Sequence, residues 1–109
     1  MSIFLVRNRF FIGPDVHIGT DEYNAKEAEK FRYFTDRYLK YVEKYGKNVR
    51  MWGALRWLKG NTPVKADNVT INAWSYDWID PNASLKDGYK IINTCDAYLY
   101  IVPAAGYYR

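Results

Sequence analysis

The 109-residue sequence contains one cysteine, one histidine and four prolines. The single thiol, Cys95, excludes a disulfide framework and any multi-cysteine metal site. The single histidine, His17, excludes a histidine-rich metal site and a Ser/His/Asp triad supported by a second histidine. Seven glycines and four prolines are too few for a collagen-like or linker chain, and no glycine-rich phosphate loop is present. No run approaches the roughly 18 apolar residues of a membrane span. Ile3-Phe4-Leu5-Val6 is too short for a signal-peptide core and is closed at once by Arg7. No membrane partner is therefore expected.

Aromatic residues, in contrast, make up 18% of the chain, with 11 Tyr, 5 Phe and 4 Trp. That content excludes a disordered tail. The length sets a ceiling of one domain with one modest core. The net charge of +4 comes from 16 Lys/Arg against 12 Asp/Glu. The cations are spread along the chain and matched by nearby acids, as in Glu27, Glu29, Lys30 and Asp36, Arg37. This pattern predicts a solvated face. A nucleic-acid binder would cluster its cations in one stripe, so no nucleic-acid partner is expected.

One helix is clear from the pattern. Asn24 is placed to cap it, with Glu27 three residues on. Ala28, Phe31, Phe34, Tyr38, Val42 and Tyr45 recur at steps of three and four and predict an apolar stripe. Lys40 and Lys44 suit the end of the helix dipole, and Gly46 suits the residue beyond it. The expected helix runs from Ala25 to Tyr45. Strands are expected at Val16–Gly19, Val49–Gly53, Val69–Trp74 and Lys90–Cys95, with a further extended stretch from Tyr98 to Val102. Ser84 is read as the cap of a short helix through Tyr89, and Leu55, Trp57 and Leu58 as a short turn. Strands separated by helical connections predict parallel βαβ units in an α/β fold. A complete (β/α)₈ barrel needs about 250 residues. The chain is therefore either a small open α/β domain or part of a barrel.

The chemistry is concentrated at Asp21-Glu22, just after a strand and just before the capped helix. In parallel α/β folds, functional groups gather at the carboxyl ends of strands. Adjacent carboxylates in a cleft repel, which suits a general acid beside an ionised partner. Acids at a helix start are also favoured by the dipole alone. Trp52 and Trp74 fall at the ends of predicted strands, and Tyr98 follows the last one. Indole faces at a barrel mouth offer an apolar platform for a sugar ring, with core packing as the alternative use.

His17-Ile18-Gly19-Thr20-Asp21-Glu22 resembles the His-x-Gly-Gly-Asp-Glu signature of family 20 glycoside hydrolases, the β-N-acetylhexosaminidases and related lacto-N-biosidases. Val49–Trp52 and Val69–Trp74 resemble the family's tryptophan-bearing strands. Gly88-Tyr89-Lys90-Ile91-Ile92-Asn93-Thr94, followed by Ala97-Tyr98-Leu99, resembles its Gly-x-x-Val-Ile-x-Ser segment and Tyr-Leu-Asp. The resemblance covers nearly all of the chain from about Phe11. Two departures stand out. Thr20 replaces the second glycine, read as a mild change, and Tyr100 stands where the common pattern has aspartate.

The resemblance implies a partial (β/α)₈ TIM barrel of parallel strands, about half a barrel, running from the fourth strand to the seventh. Residues 1–10 are then an atypical N-terminal extension and 11–109 a partial catalytic domain. It implies substrate-assisted retaining hydrolysis of terminal β-linked N-acetylhexosamine or a related disaccharide, in which no protein nucleophile is needed. Glu22 would be the acid and base, and Asp21 would orient the acetamido group. Trp52 and Trp74 would wall its pocket, Tyr98 would donate to its oxygen, and His17 would support the acids from behind. A carbohydrate is the expected partner, and no cofactor or metal is expected. The isolated chain is expected to be inactive and to self-associate through open barrel edges or its uncovered inner face. The resemblance implies a secreted or cell-surface parent. The alternative reading is a non-catalytic α/β domain for glycan binding or assembly.

Overall fold

The computed structural model describes residues 13–65 and 67–103, and the expected extension at residues 1–10 lies outside them. Four strands form one parallel sheet in sequence order: β1 (Asp15–His17), β2 (Asn48–Trp52), β3 (Val69–Ala73) and β4 (Lys90–Asn93). Each pairs with its sequence neighbour, aligning His17 with Arg50, Arg50 with Thr70, and Thr70 with Lys90. The α/β class, the parallel strands and their consecutive order are those of part of a (β/α)₈ barrel.

Helix α1 (Ala28–Lys44) follows β1 after a 3₁₀ turn at Ala25–Glu27. Asn24 caps the turn, its side-chain oxygen accepting from the Lys26 amide at 3.0 Å. Glu27 does not close a capping box; its carboxylate pairs with Lys30 at 2.8 Å. Gly46 ends the helix at φ +72°, its N–H bonded to the Glu43 carbonyl at 2.9 Å. Only glycine enters that conformation without a Cβ penalty.

The buried stripe of α1 is Ala28, Phe31, Thr35, Asp36, Leu39 and Val42. The expected stripe is correct at Ala28, Phe31 and Val42 and wrong at Phe34, Tyr38 and Tyr45. Phe34 is exposed, and the line of burial passes through Thr35 and Leu39, about one residue round the helix. The aromatics form a flanking row instead, with ring centroids 5.7 Å apart for Phe34 and Tyr38, 6.5 Å for Tyr38 and Tyr41, and 5.4 Å for Tyr41 and Tyr45. Tyr38 and Tyr41 are only partly buried against the core. These large rings flank the helix and leave the tight seam to Leu39 and Val42.

Between α1 and the sheet lies the main core: Val16, Val49, Met51, Val69, Ile71 and Ala73 from the strands, with Leu39 and Val42 from the helix. The opposite sheet face is mostly polar. It carries His17, Arg50, Thr70 and Lys90 in one row and Trp52, Asn72 and Ile92 in the next. The inner face is thus not a large apolar patch. Asp15 bonds Arg50 there at 2.8 Å.

Two short elements differ from expectation. Helix α2 (Pro81–Lys86) is capped by Asp80, whose carboxylate accepts from the Asn82 and Ala83 amides at 3.0 and 3.1 Å. Ser84 is not the cap but a buried residue inside the helix, because Asp80-Pro81 supplies both a stronger acceptor and a first residue with preset φ. The extended stretch expected from Tyr98 is instead helical at its start: α3 spans Asp96–Leu99. The Leu99 amide returns to the Cys95 carbonyl at 2.8 Å, and the Asp96 amide is drawn to the Trp74 carbonyl at 2.7 Å. These bonds turn the chain before its β-prone residues can extend it. The expected turn at Leu55–Leu58 is present.

Candidate active site

All four strands deliver their carboxyl ends to one edge of the sheet, which is where the signature residues lie. His17 ends β1, Trp52 ends β2, and Trp74 follows β3 by one residue. Asp21 and Glu22 occupy the loop between β1 and the 3₁₀ turn, both exposed.

That loop leaves β1 through two consecutive left-handed residues, Gly19 at φ +82° and Thr20 at φ +67°. Glycine takes this conformation freely, whereas a β-branched residue is strained there. The replacement of the second glycine by Thr20 is therefore not mild. It places strain immediately before the acids, partly answered by a hydrogen bond from the Thr20 hydroxyl to the Gly19 carbonyl.

Hydrogen bonds tie successive strand ends together. The Gly19 N–H donates to His17 Nδ1 at 3.1 Å, and the Gly19 carbonyl accepts from the Trp52 amide at 2.8 Å. His17 Nε2 lies 3.2 Å from Asn72 Oδ1 on β3. The Gly53 amide donates to the Asn72 carbonyl at 3.0 Å, and Trp74 Nε1–H donates to the Gly53 carbonyl at 2.7 Å. The Thr94 amide donates to the Ala73 carbonyl at 3.1 Å. The loops after β1, β2, β3 and β4 are thus held as one layer.

The aromatic side chains divide into groups. Trp52 packs on the His17 ring at 5.1 Å, tilted by 59°. Trp74 stacks on Trp78 at 6.1 Å, and Trp78 packs on Trp57 at 5.6 Å. Tyr98 lies on α3, is 77% exposed, and meets Tyr76 at 6.5 Å. A cleft of about 440 Å³ contains both acids and is otherwise lined by Ile18, Thr20, Tyr23, Lys30, Phe31 and Phe34. Trp52, Trp74 and Tyr98 do not line it. Histidine, tryptophan and acids share one edge, but this cleft holds the acids without the strand-end tryptophans. Among the described residues, no group of three or more His, Cys, Asp or Glu could hold a metal ion.

Sequence reasoning missed Asn72, the partner of His17. Its signal was available in retrospect. Asn72 interrupts the β-branched run Val69-Thr70-Ile71 at a site two residues before the strand-end tryptophan. Asparagine is disfavoured in strands and needs a compensating bond.

Neither a protein-family model nor a curated protein matches the sequence. Solved structures do match the fold. The β-N-acetylhexosaminidase of Streptomyces coelicolor A3(2) superposes with a TM-score of 0.64 at 23% identity, over 84% of this chain and 19% of its own. A mutant Streptomyces plicatus β-hexosaminidase in complex with its product, GlcNAc, gives 0.65 at 22%, over 87% of this chain and 19% of its own. The Bacteroides fragilis β-N-acetylhexosaminidase gives 0.62 at 20%, over 87% and 22%. The chain spans about a fifth of the length of these structures.

Proposed function

We propose that this chain is part of the catalytic barrel of a glycoside hydrolase of the family 20 type, acting on terminal β-linked N-acetylhexosamine. The observation that carries the reading is the position of Asp21-Glu22. The pair follows the first strand at the carboxyl edge of a parallel sheet whose fold is shared with β-N-acetylhexosaminidases. Functional groups of barrels gather at that edge. Two of the matching structures contain GlcNAc or N-acetylglucosamine, which supports an acetamido sugar as the ligand class.

In the proposed reaction the substrate's acetamido oxygen attacks its own anomeric carbon. The glycosidic C–O bond breaks, and the leaving oxygen takes a proton from Glu22. Asp21 accepts a hydrogen bond from the acetamido N–H, orients the oxygen and offsets the positive charge that develops. Glu22, now a carboxylate, removes a proton from the water that reopens the cyclic intermediate, with retention at the anomeric carbon. Trp52 and Trp74 wall the acetamido group, Tyr98 donates to its oxygen, and His17 supports the acids. Positioning by the walls of a whole barrel supplies much of the barrier reduction, so the isolated chain is expected to be inactive.

The test is turnover of an N-acetylhexosaminide by a complete barrel that carries this segment. Glu22→Gln should lower cleavage of natural glycans by about 10² to 10⁴. Aryl glycosides with good leaving groups should suffer less, and Asp21→Asn should impair both. Full activity of Glu22→Gln on a natural glycan would remove Glu22 from the reaction. A second reading, a non-catalytic glycan-binding or assembly domain, is favoured by one observation: the cleft holding the acids is lined by neither strand-end tryptophan. It predicts sugar binding with no turnover in the complete barrel.

A further inference from the structure

We propose that Asn72 is a positioning residue: it fixes His17 in the Nε2–H tautomer, and that tautomer clamps the turn that presents Asp21 and Glu22. The inference rests on the reading of those two acids as the reacting groups, but its geometry stands apart from it.

Neutral imidazole has one donor and one acceptor nitrogen. The Gly19 amide, a donor, lies 3.1 Å from Nδ1, so Nδ1 must be the acceptor. The proton is then on Nε2, which meets the Asn72 carbonyl oxygen at 3.2 Å. The opposite tautomer would set an N–H against the Gly19 N–H and a lone pair against the Asn72 oxygen. Both contacts would be repulsive. Trp52 packs against the imidazole at 5.1 Å and restricts its rotation.

The Gly19 peptide unit is thereby held from both sides, by His17 at its N–H and by the Trp52 amide at its carbonyl. A hold of this kind is needed because the next residue is threonine in the left-handed region. Asp21 and Glu22 follow at once, so their direction depends on the clamp. A side chain on β3 thus sets the geometry of a loop that leaves β1, two strands away in the sheet.

Protonation tests the same arrangement. Charged imidazole has two donors and no acceptor, so acid removes the acceptor for the Gly19 amide. The charged groups around His17 on this face are Asp15 and Arg50, which pair with each other, Lys90 on β4 in the same row, and Asp21 and Glu22 in the loop. From β3 only neutral Thr70 and Asn72 share the face. The core side carries Val16, Val49 and the apolar seam of α1.

The experiment is heteronuclear NMR on the full 109-residue chain, in which His17 is the only imidazole. Above pH 8, one-bond N–H coupling should appear at Nε2 and not at Nδ1. The Gly19 amide should be protected from exchange. Asn72→Val should mix the tautomers and speed Gly19 exchange by about fivefold or more, the worth of one ordinary hydrogen bond. Asn72→Asp, which keeps an acceptor oxygen, should restore the Nε2–H tautomer and Gly19 protection. That rescue distinguishes positioning of the ring from mere packing. If Asn72→Val unfolds the chain, the wild-type tautomer and the Asn72→Asp tautomer and Gly19 exchange decide. A wild-type Nδ1–H tautomer overturns the proposal, as does an Asn72→Val variant with unchanged tautomer and Gly19 exchange. None of these readouts uses turnover, so a barrel found inactive would count against the hydrolase reading alone.

Discussion

The two connections that flank β2 solve one problem in opposite ways. From β1 to β2 the chain crosses through α1, whose apolar seam of Phe31, Leu39 and Val42 packs with high regularity. From β2 to β3 it crosses from Gly53 to Asn68 without a helix among the described residues. This second crossover packs Ala54 and Leu58 against Ala28 and Phe31 of α1 and Val64 into the main core, and hydrogen bonds from α1 fix its course as well. Glu29 accepts from the Asn61 amide, the Thr62 amide and the Thr62 hydroxyl. Arg32 donates to the Thr62 carbonyl at 2.7 Å and to the Leu58 carbonyl at 3.1 Å. Asp36 accepts from the Lys65 amide at 2.8 Å, and Glu43 pairs with the Lys65 ammonium. Glu29, Arg32, Asp36 and Glu43 recur at helical spacing, so α1 carries two working stripes, one apolar and one charged. A parallel crossover lacking its own helix can borrow one from its neighbour.

The largest effect should come from the apolar stripe. Leu39 is fully buried in the main core, and Leu39→Ala should destabilise the chain by about 2 to 5 kcal/mol. Chemical denaturation read by circular dichroism gives the value. A loss under about 1 kcal/mol would mean that the seam is not where α1 is held.

The charged stripe should matter less per residue but still more than an exposed ion pair. Asp36→Ala strands the Lys65 amide and should cost about 1 to 3 kcal/mol. Most of that should be recovered in Asp36→Asn, which keeps an acceptor. Lys40→Ala removes only the exposed partner of Asp36 and should cost under about 1 kcal/mol. Equal losses for Asp36→Ala and Lys40→Ala would show that the ion pair, and not the loop bond, is what Asp36 contributes.

Acid should sharpen the same contrast. The Thr62 hydroxyl, and then the Asn61 and Thr62 amides, hold the Glu29 carboxyl below its ordinary value of 4.5. A carboxylate with a lowered folded pKa adds stability that is present above the unfolded value and is lost as pH falls through the folded one. Exchange protection of the Asn61 and Thr62 amides should therefore decline below about pH 4.5, while the Leu39 amide stays protected. Glu29→Gln should make the loop's protection less sensitive to pH across that window. A loop that opens equally at pH 7 and pH 3 would show that Glu29 does not hold it.

The smallest expected change has the opposite sign. Thr20→Gly relieves a left-handed threonine and should stabilise the folded chain by about 1 kcal/mol, less the cost of glycine's freedom when unfolded. A destabilised Thr20→Gly would mean that the hydroxyl bond to Gly19 outweighs the backbone strain.

The contrast between the crossovers also explains what was legible in the sequence. The class of fold, the four parallel strands and α1 follow from β-branched runs and from helical periodicity, and both signals lie in apolar residues. The charged stripe was not legible. Glu29 and Asp36 read as solvated surface because neighbouring cations seemed to match them. In the structure Arg37 turns to the Tyr33 ring, 5.6 Å away, and leaves Asp36 to Lys40 and the loop. A helical acid that binds a loop some 30 residues on has no local signature. At the candidate site, Asp21, Glu22 and the strand-end tryptophans stand out by their positions at strand ends, and His17 only through the segment that resembles the family signature. Asn72 was hidden because its meaning depends on a strand pairing, and Thr20 was undervalued because φ cannot be read from composition. The helical start of the Tyr98 segment was hidden for a similar reason: the amides of Cys95 and Asp96 are taken by Asn93 and Trp74 rather than by a ladder.

The strictly consecutive strand order bears on how the molecule is made. Each strand docks on the outer edge of the one before it, so no strand has to slip between two that have already paired. The span of chain closed at each step is a single crossover, and loop-closure entropy grows only slowly with such lengths. Pairing between sequence neighbours also keeps the mean separation of contacts low for a parallel sheet, which favours faster folding. A chain leaving the ribosome can therefore deposit this sheet in the order in which it is translated, with α1 covering β1 and β2 before β3 has emerged.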